Sequence, residues 1–342
     1  MIFLHFLSFA SSIKGKNLAI ITHSGCDVDA FASAAALYLA LSKSAKSASI
    51  LVPEHINLQA KELAKNLKIP YLIDHSDLSK FDAAIVVDTN SISMVGDFAP
   101  QLKSFKKPLL VIDHHDISND AIAKGSDLIL RKDAVSSSEI IYDLFKAGEI
   151  KITQEIATFI ACGIITDSAG FLIADHETFG IMAEVMKISQ KDYYQIISLF
   201  KIKENISEKI AKLKAAKRSH IYNSFDHLLV DAEVGAHESD AAVALIILGA
   251  DVAFAGNEDR GNIQISSRVS NEFMKKYNFD VTRDVFRPLQ EEFSGTFGGH
   301  PGAAGYKGSD VLLETALKKC IVLTHNFLIE KMKKTSPLKE YE

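Results

Sequence analysis

The chain has 342 residues, of which 47% are hydrophobic and 24% charged, and a formal net charge of −5. That length suits two domains of ordinary size, and the composition is that of a folded chain and not a disordered one. A net negative charge excludes general electrostatic capture of long nucleic acid, which needs many Lys and Arg contacts to phosphate; it leaves room for a short anionic substrate held by local cations.

The apolar start, Met1-Ile2-Phe3-Leu4-His5-Phe6-Leu7, has no positive residue ahead of it and is too short to span a bilayer. It is expected to form a helix on the first domain, with no membrane role. Residues 18–22 read as a strand and the alanine-rich residues 30–41 as a helix. His23, Asp27 and Asp29 occupy the loop between them. Acids two residues apart repel unless a helix N-terminus or a cation accepts them, and capping accounts for one acid, not for the histidine and both acids.

Strands are expected at residues 48–52, 71–73, 83–87 and 109–112, with a helix over 57–67. The strand at 83–87 runs into Asp88, and the one at 109–112 into Asp113-His114-His115-Asp116. Charged, metal-competent side chains at a strand end each need a partner once they leave water, so this stretch points to a metal site. Continuous apolar strands separated by helices indicate an α/β fold with a parallel sheet covered on both faces, and such sheets bind ligands at the carboxyl ends of their strands. His23, Asp27, Asp29, Asp88 and His114 should therefore converge.

A helix over 153–165 ends at Thr166-Asp167, where an acid opposes the helix dipole unless a cation is near. Ser136-Ser137-Ser138-Glu139 reads as the N-cap of a helix over 139–146. Residues 192–225 are lysine-rich and expected to be a helical, solvated connector, which gives three segments: a metal-binding domain at 1–190, the connector at 191–225 and a smaller α/β domain at 226–342. In the last, strands are expected at 227–230, 252–255 and 262–266, the last followed by Arg268, and helices at 240–248 and 282–293. Gly295-Thr296-Phe297-Gly298-Gly299-His300-Pro301-Gly302-Ala303-Ala304-Gly305 would let backbone N–H groups approach an anion, with a helix starting after His300. Structure beyond Asp310 should close the domain, and residues 331–342 are expected to be a frayed tail. Cys26, Cys162 and Cys320 form no CxxC pair, which suits a reducing, cytoplasmic setting.

Taken together, His23-Ser24-Gly25-Cys26-Asp27-Val28-Asp29, Val87-Asp88, Asp113-His114-His115, Thr166-Asp167 and the GGHPGAAG run resemble the DHH phosphoesterase superfamily. The resemblance is closest to its DHH/DHHA1 branch of RecJ-like exonucleases, nanoRNases and pAp phosphatases. It implies two Mn²⁺ ions, with Mg²⁺ or Co²⁺ as substitutes: one held by His23, Asp27 and Asp88, the other by Asp29, Asp88, His114 and Asp167. It implies that His115 faces the phosphoryl oxygen or leaving group, that Asp113 orients an imidazole, and that Arg268, Gly298, Gly299 and His300 bind substrate phosphate.

The activity implied is hydrolysis of short oligonucleotides (nanoRNA, linear dinucleotides) or pAp by two-metal-activated hydroxide attack. The alternatives are a cyclic-dinucleotide phosphodiesterase, an inorganic pyro- or polyphosphatase, and a nucleotide-sensing protein without catalysis. The partner expected is a short oligonucleotide or nucleotide, with no obligate long nucleic acid, and the resemblance allows a homodimer. The sequence departs from the family pattern at Cys26, where proline is usual, and at Phe31-Ala32-Ser33, where a small or glycine-containing step is usual; Cys26 is read as structural.

Overall fold

The computed structural model describes residues 2–73, 77–309 and 311–341. The chain divides into two compact units, Met1–Ile202 and Lys203–Glu342.

In chain order the first unit contains α1 (Ile2–Ser12), β1 (Asn17–Ile21), α2 (Val28–Leu41), β2 (Ser47–Val52), α3 (Leu58–Leu67), β3 (Leu72–Ile73), β4 (Ala83–Val87), α4 (Ala99–Ser104), β5 (Leu109–Asp113), β6 (Leu128–Leu130), α5 (Ser137–Ala147), α6 (Gln154–Asp167), α7 (His176–Ser189) and α8 (Tyr193–Ser198). The strands form one sheet in the order β3-β2-β1-β4-β5-β6, and every neighbouring pair is parallel. A parallel strand buried on both faces has no polar side to spare, which is why Ala83–Val87 is apolar throughout and wholly buried.

Helices α1, α2, α5 and α6 cover one face, where Phe6, Phe31, Phe145 and Phe159 are fully buried. Val95, Phe98 and Leu102 cover the other, against Ile21, Val86 and Val111. The chain winds outward in both directions from β1 and β4, so the crevice at their carboxyl ends is the topological switch point, the place where open α/β sheets bind ligands.

The second unit contains α9 (Ile206–Lys217), β7 (His220–Ser224), β8 (His227–Glu233), α10 (Glu238–Ile247), β9 (Val252–Asp259), β10 (Asn262–Val269), α11 (Asn271–Tyr277), α12 (Arg287–Phe293), β11 (Thr296–His300), β12 (Ala303–Ser309), α13 (Leu313–Met332) and β13 (Lys339–Tyr341). Its sheet has the order β11-β12-β10-β9-β8-β7-β13. The pair β8/β9 is parallel and the other neighbours are antiparallel. Phe254, Ile265 and Tyr306 pack with Leu317 and Cys320 of α13 on one face, while Ala253 and Val230 pack with Ala241 and Leu245 of α10 on the other.

The structure corrects four expectations. Residues 220–224 of the expected helical connector form β7, because β8 supplies an antiparallel partner, with Ile221 opposite Val230. Arg268 lies inside β10 and not after it. No helix starts after His300: Pro301 and Gly302 turn a hairpin in which His300 pairs with Ala303 and Gly298 with Gly305. The expected frayed tail holds the end of α13 and then β13, whose Glu340 pairs with Tyr222 on the sheet edge; Asp310 and Glu342 lie outside the described residues. Among the described residues no helix is long and apolar enough to cross a membrane.

Candidate metal centre

Each acid or imidazole of the first unit is placed by the end of a regular element. His23 follows β1. Asp27 caps α2, its carboxylate accepting the Ala30 N–H at 3.0 Å, and Asp29 lies in the first turn, fully buried. Asp88 follows β4 with a φ of +63°, a left-handed conformation that a residue with a Cβ adopts at some cost. Its N–H donates to the Ile112 carbonyl at 2.9 Å, which holds the turn against β5. His114 and His115 leave β5, and Asp167 ends α6.

These positions bring ligand-capable atoms of His23, Asp27 and Asp88 within 4.8 Å of one another, and likewise those of Asp29, Asp88, His114 and Asp167. A third grouping joins Asp88, His114 and His115. Asp88 is common to all three and divides its oxygens: Oδ2 is 3.5 Å from His23 Nε2, and Oδ1 is 3.4 Å from His114 Nε2. Asp27 Oδ1 lies 3.8 Å from His23 Nε2 and Asp167 Oδ2 lies 3.3 Å from His114 Nε2.

The donor set fits divalent metal ions. Buried His114 Nε2 makes no hydrogen bond although two carboxylates face it. Octahedral ions with bonds of 2.0–2.1 Å hold adjacent ligands about 3 Å apart, close to these separations. Asp27, Asp29, Asp88 and Asp167 offer carboxylate oxygens, the hard donors that divalent cations take. Carboxylate with imidazole suits Mn²⁺ and similar ions. Cys26 is buried and absent from all three groupings, and burial pushes its thiol well up, so no thiolate competes.

The charges perturb one another strongly. Burial pulls the His23 imidazole down, but Asp27 and Asp88 outweigh it and raise the group from 6.5 to about 10. Burial likewise pulls the His114 imidazole down, but Asp167 and Asp88 outweigh it and raise the group to about 11. Burial acts to raise the Asp88 carboxyl, yet His114 and His23 hold it well below the usual carboxylate range. Asp29 is pushed well above that range by burial and by the charges of Asp88 and Asp167, and Asp167 is raised chiefly by burial.

The N-terminus of α5 cradles the centre. Ser136 is the N-cap, its hydroxyl accepting the Glu139 N–H. The Ser137 N–H donates to Asp29 Oδ2 at 2.7 Å and the Ser138 N–H to Asp29 Oδ1 at 3.1 Å, while Ser137 Oγ donates to Asp88 Oδ1 at 2.9 Å. Free N–H groups and the positive end of the helix dipole favour a buried carboxylate here. Glu139 faces away, accepting the Thr178 hydroxyl. A Cβ on Gly163 would come within 2.0 Å of Ser138 Oγ and 2.3 Å of Asp29 Oδ1, so only glycine lets α6 pass this close.

Asp113 is fully buried beneath the histidines. Its Oδ1 accepts the His114 N–H at 2.8 Å, the His115 N–H at 3.2 Å and His115 Nδ1 at 2.8 Å. Its Oδ2 accepts from Asn90 Nδ2, and Asn90 in turn accepts the Ser118 N–H at 2.7 Å. The His115 side chain is 58% exposed with Nε2 left over for another partner, and Asp113 raises its pKa. The centre opens into a depression of about 630 Å³ whose wall includes Met94 and Ile117.

In the second unit Arg268 pairs with Ala303, and Ala303 with His300. Directly paired residues share a face, so Arg268 and His300 flank the small Ala303 about 9.5 Å apart, two strand spacings. The row beside it is Ser266, Gly305 and Gly298, a nearly bare strip of backbone. Arg268 donates to the Ser267 carbonyl and to Ser239 Oγ at 2.7 and 2.6 Å. Gly299 has a φ of +142° and a Cβ there would meet the Ala303 carbonyl at 2.5 Å, so its role in the hairpin is steric.

Sequence reasoning missed Ser137, Asn90 and Gly163. Gly163 had a signal, an isolated glycine inside a helical pattern, and three consecutive serines exceed what one cap needs. Asn90 had none, because its partners lie on the loop after β5.

Comparison with known proteins gives three likenesses. An uncharacterized protein of Methanocaldococcus jannaschii is 26% identical over 332 residues, covering 94% of this chain and 97% of that one. A probable manganese-dependent inorganic pyrophosphatase of Streptococcus pyogenes is 30% identical over 105 residues, 29% of this chain and 32% of that one. The crystal structure of an exopolyphosphatase-related protein from Bacteroides fragilis covers 95% of this chain and 96% of its own, with a TM-score of 0.60 at 19% identity, and so shares the fold. The DHH family, N-terminal domain, matches residues 17–164. That span carries β1 to β6 and the site residues from His23 to His115, so this part of the chain is similar to the N-terminal domain of the DHH family.

Proposed function

We propose that the protein is a divalent-metal-dependent phosphoesterase that uses two Mn²⁺ ions to hydrolyse short oligonucleotides, linear dinucleotides or pAp. The observation that carries this reading is the division of Asp88 between two donor sets, one oxygen towards His23 and the other towards His114. A carboxylate so placed would suit two ions side by side, which would supply Lewis-acid polarisation of a phosphoryl oxygen and neutralise developing charge. In this reading His23, Asp27 and Asp88 would hold one ion, and Asp29, Asp88, His114 and Asp167 the other.

The remaining roles fall to the chain's own groups. His115 presents Nε2 to the substrate and gives its proton to the leaving oxygen; Asp113, bonded to Nδ1, fixes the ring for that transfer. Arg268 has N–H groups beyond the two that bind Ser239 and Ser267, and with His300 and Gly298 it binds phosphate in the second unit. Gly299 supports this by shaping the hairpin.

Inorganic pyrophosphate is the second reading, favoured by the match to the streptococcal pyrophosphatase. The depression favours an ester instead. Among its described lining residues there is no Lys or Arg, whereas Met94 and Ile117 are 45% and 50% exposed beside it. A multiply charged inorganic ion has no use for those apolar walls, and a nucleoside does.

The test is a side-by-side rate comparison with Mn²⁺ of pAp, a dinucleotide, a long single strand and pyrophosphate. The reading expects pAp or the dinucleotide to be turned over fastest, and Arg268→Ala to slow dinucleotide turnover far more than it weakens metal binding. Preference for pyrophosphate, or processive digestion of the long strand with little action on dinucleotides, would contradict it.

A further inference from the structure

A second concavity of the first unit lies away from the metal centre. It is a groove of about 830 Å³ between α1 and the segment that joins α4 to β5. The residues that α1 contributes, His5, Ser8, Phe9 and Ser12, recur at helical spacing and so form one face of that helix. Leu109 and Leu110 place the groove at the amino end of β5, whereas Asp113 ends the strand at the metal centre, about 13 Å away at 3.3 Å per residue.

Its charge is opposite in sign to that of the chain as a whole. Lys103, Lys106, Lys107 and Lys124 line it with a single acid, Asp127, so four positive charges less one leave +3 on a chain whose net charge is −5. The four lysines are exposed at the rim. Lys107 is a fixed charge, its ammonium donating to the Ser79 carbonyl at 2.9 Å and to that of Phe81. Lys103, Lys106 and Lys124 enter no ion pair among the described residues. The floor is apolar, with Phe105 and Ile122 half-buried against the core.

We propose that this groove is a second binding site, which takes a phosphorylated ligand that also carries an apolar portion. Ammonium groups spread around one opening hold several phosphate oxygens as point charges. An apolar floor beneath them favours a base or an acyl chain over inorganic phosphate. Positive charge concentrated on a negative protein raises the local concentration of anions beside it. Such a ligand is either a free nucleotide or the headgroup region of an anionic lipid; Leu4 of α1, 65% exposed, gives the lipid source its physical reason. The inference does not rest on the activity proposed for the metal centre.

The experiment uses the full chain in EDTA, on an Asp88→Asn background so that the metal centre contributes no metal-mediated binding. N-methylanthraniloyl-ATP is titrated by fluorescence anisotropy, and co-flotation is measured with phosphatidylcholine vesicles with and without phosphatidylglycerol. Saturable binding in either arm, weakened at least about ten-fold by the combined Lys103→Gln, Lys106→Gln and Lys124→Gln substitutions, is the expected result. The combined Lys331→Gln, Lys333→Gln and Lys334→Gln substitutions elsewhere on the surface should bind as the unsubstituted chain does. The arm that responds identifies the source. Tripolyphosphate should displace the nucleotide less well than ATP, since it lacks the apolar portion. Absence of binding in both arms, equal loss in the two triple variants, or equal displacement by tripolyphosphate and ATP would overturn the proposal.

Discussion

In the metal-free protein His23 and His114 carry protons at neutral pH, because neighbouring carboxylates raise them from 6.5 to about 10 and about 11. A group whose folded pKa lies above its unfolded value stabilises the fold fully below the unfolded value, here pH 6.5, and loses that contribution as pH rises through the folded one. Metal binding runs the other way, since an imidazole must give up its proton to coordinate. Binding of Mn²⁺ at pH 7.5 should therefore release about two protons per chain, and the apparent affinity should rise with pH by roughly ten-fold per unit for each proton released. Calorimetric titration in buffers of different ionisation enthalpy measures that release. Binding without it would mean that the two imidazoles are not ligands.

Among the helices, α6 passes within atomic contact of the cradle that α5 builds around Asp29. Gly163→Ala drives a methyl into Ser138 Oγ and Asp29 Oδ1. It should cost about 1–3 kcal/mol in stability through overpacking and should weaken Mn²⁺ binding at the same time. Thermal melts with and without Mn²⁺ check both, and an unchanged melting temperature would show that α6 can shift aside freely. Gly163 illustrates what could be read ahead of the structure: the glycine was visible inside a helical pattern and Asp29 among the candidate ligands, but not the contact between them.

The interior strands of the first sheet were legible for a simple reason. Ala83–Val87 and Leu109–Asp113 lie between parallel neighbours, and that burial leaves a continuous apolar run. β7 and β13 were hidden because an edge pair needs no such run: His220–Ser224 and Lys339–Tyr341 are mostly polar and find each other across more than a hundred residues. The hairpin after Gly298 was mistaken for a helix start because glycine and alanine permit both, and only the pairing of β12 with β10 decides. Ser137 reaches Asp29 and Asp88, and Asn90 reaches Asp113, across separations in sequence that only the fold closes, so a run of serines and a lone asparagine did not reveal their partners.

Over the whole molecule, the switch point of the first sheet explains why residues from His23 to Asp167 meet. β1 and β4 diverge there, β5 delivers its histidines beside them, and α6 closes the ring with Asp167. We propose that Asp88 would hold two ions at this site and that they would support phosphoester hydrolysis. The most direct measurement is electron paramagnetic resonance of the protein titrated with Mn²⁺, run on the unsubstituted chain and on Asp88→Asn with hydrolysis assayed in parallel. The account predicts two ions per chain with a spin-coupled signal, and loss of both the coupling and the activity in Asp88→Asn. A single uncoupled ion in the unsubstituted chain, or full activity in Asp88→Asn, would contradict it.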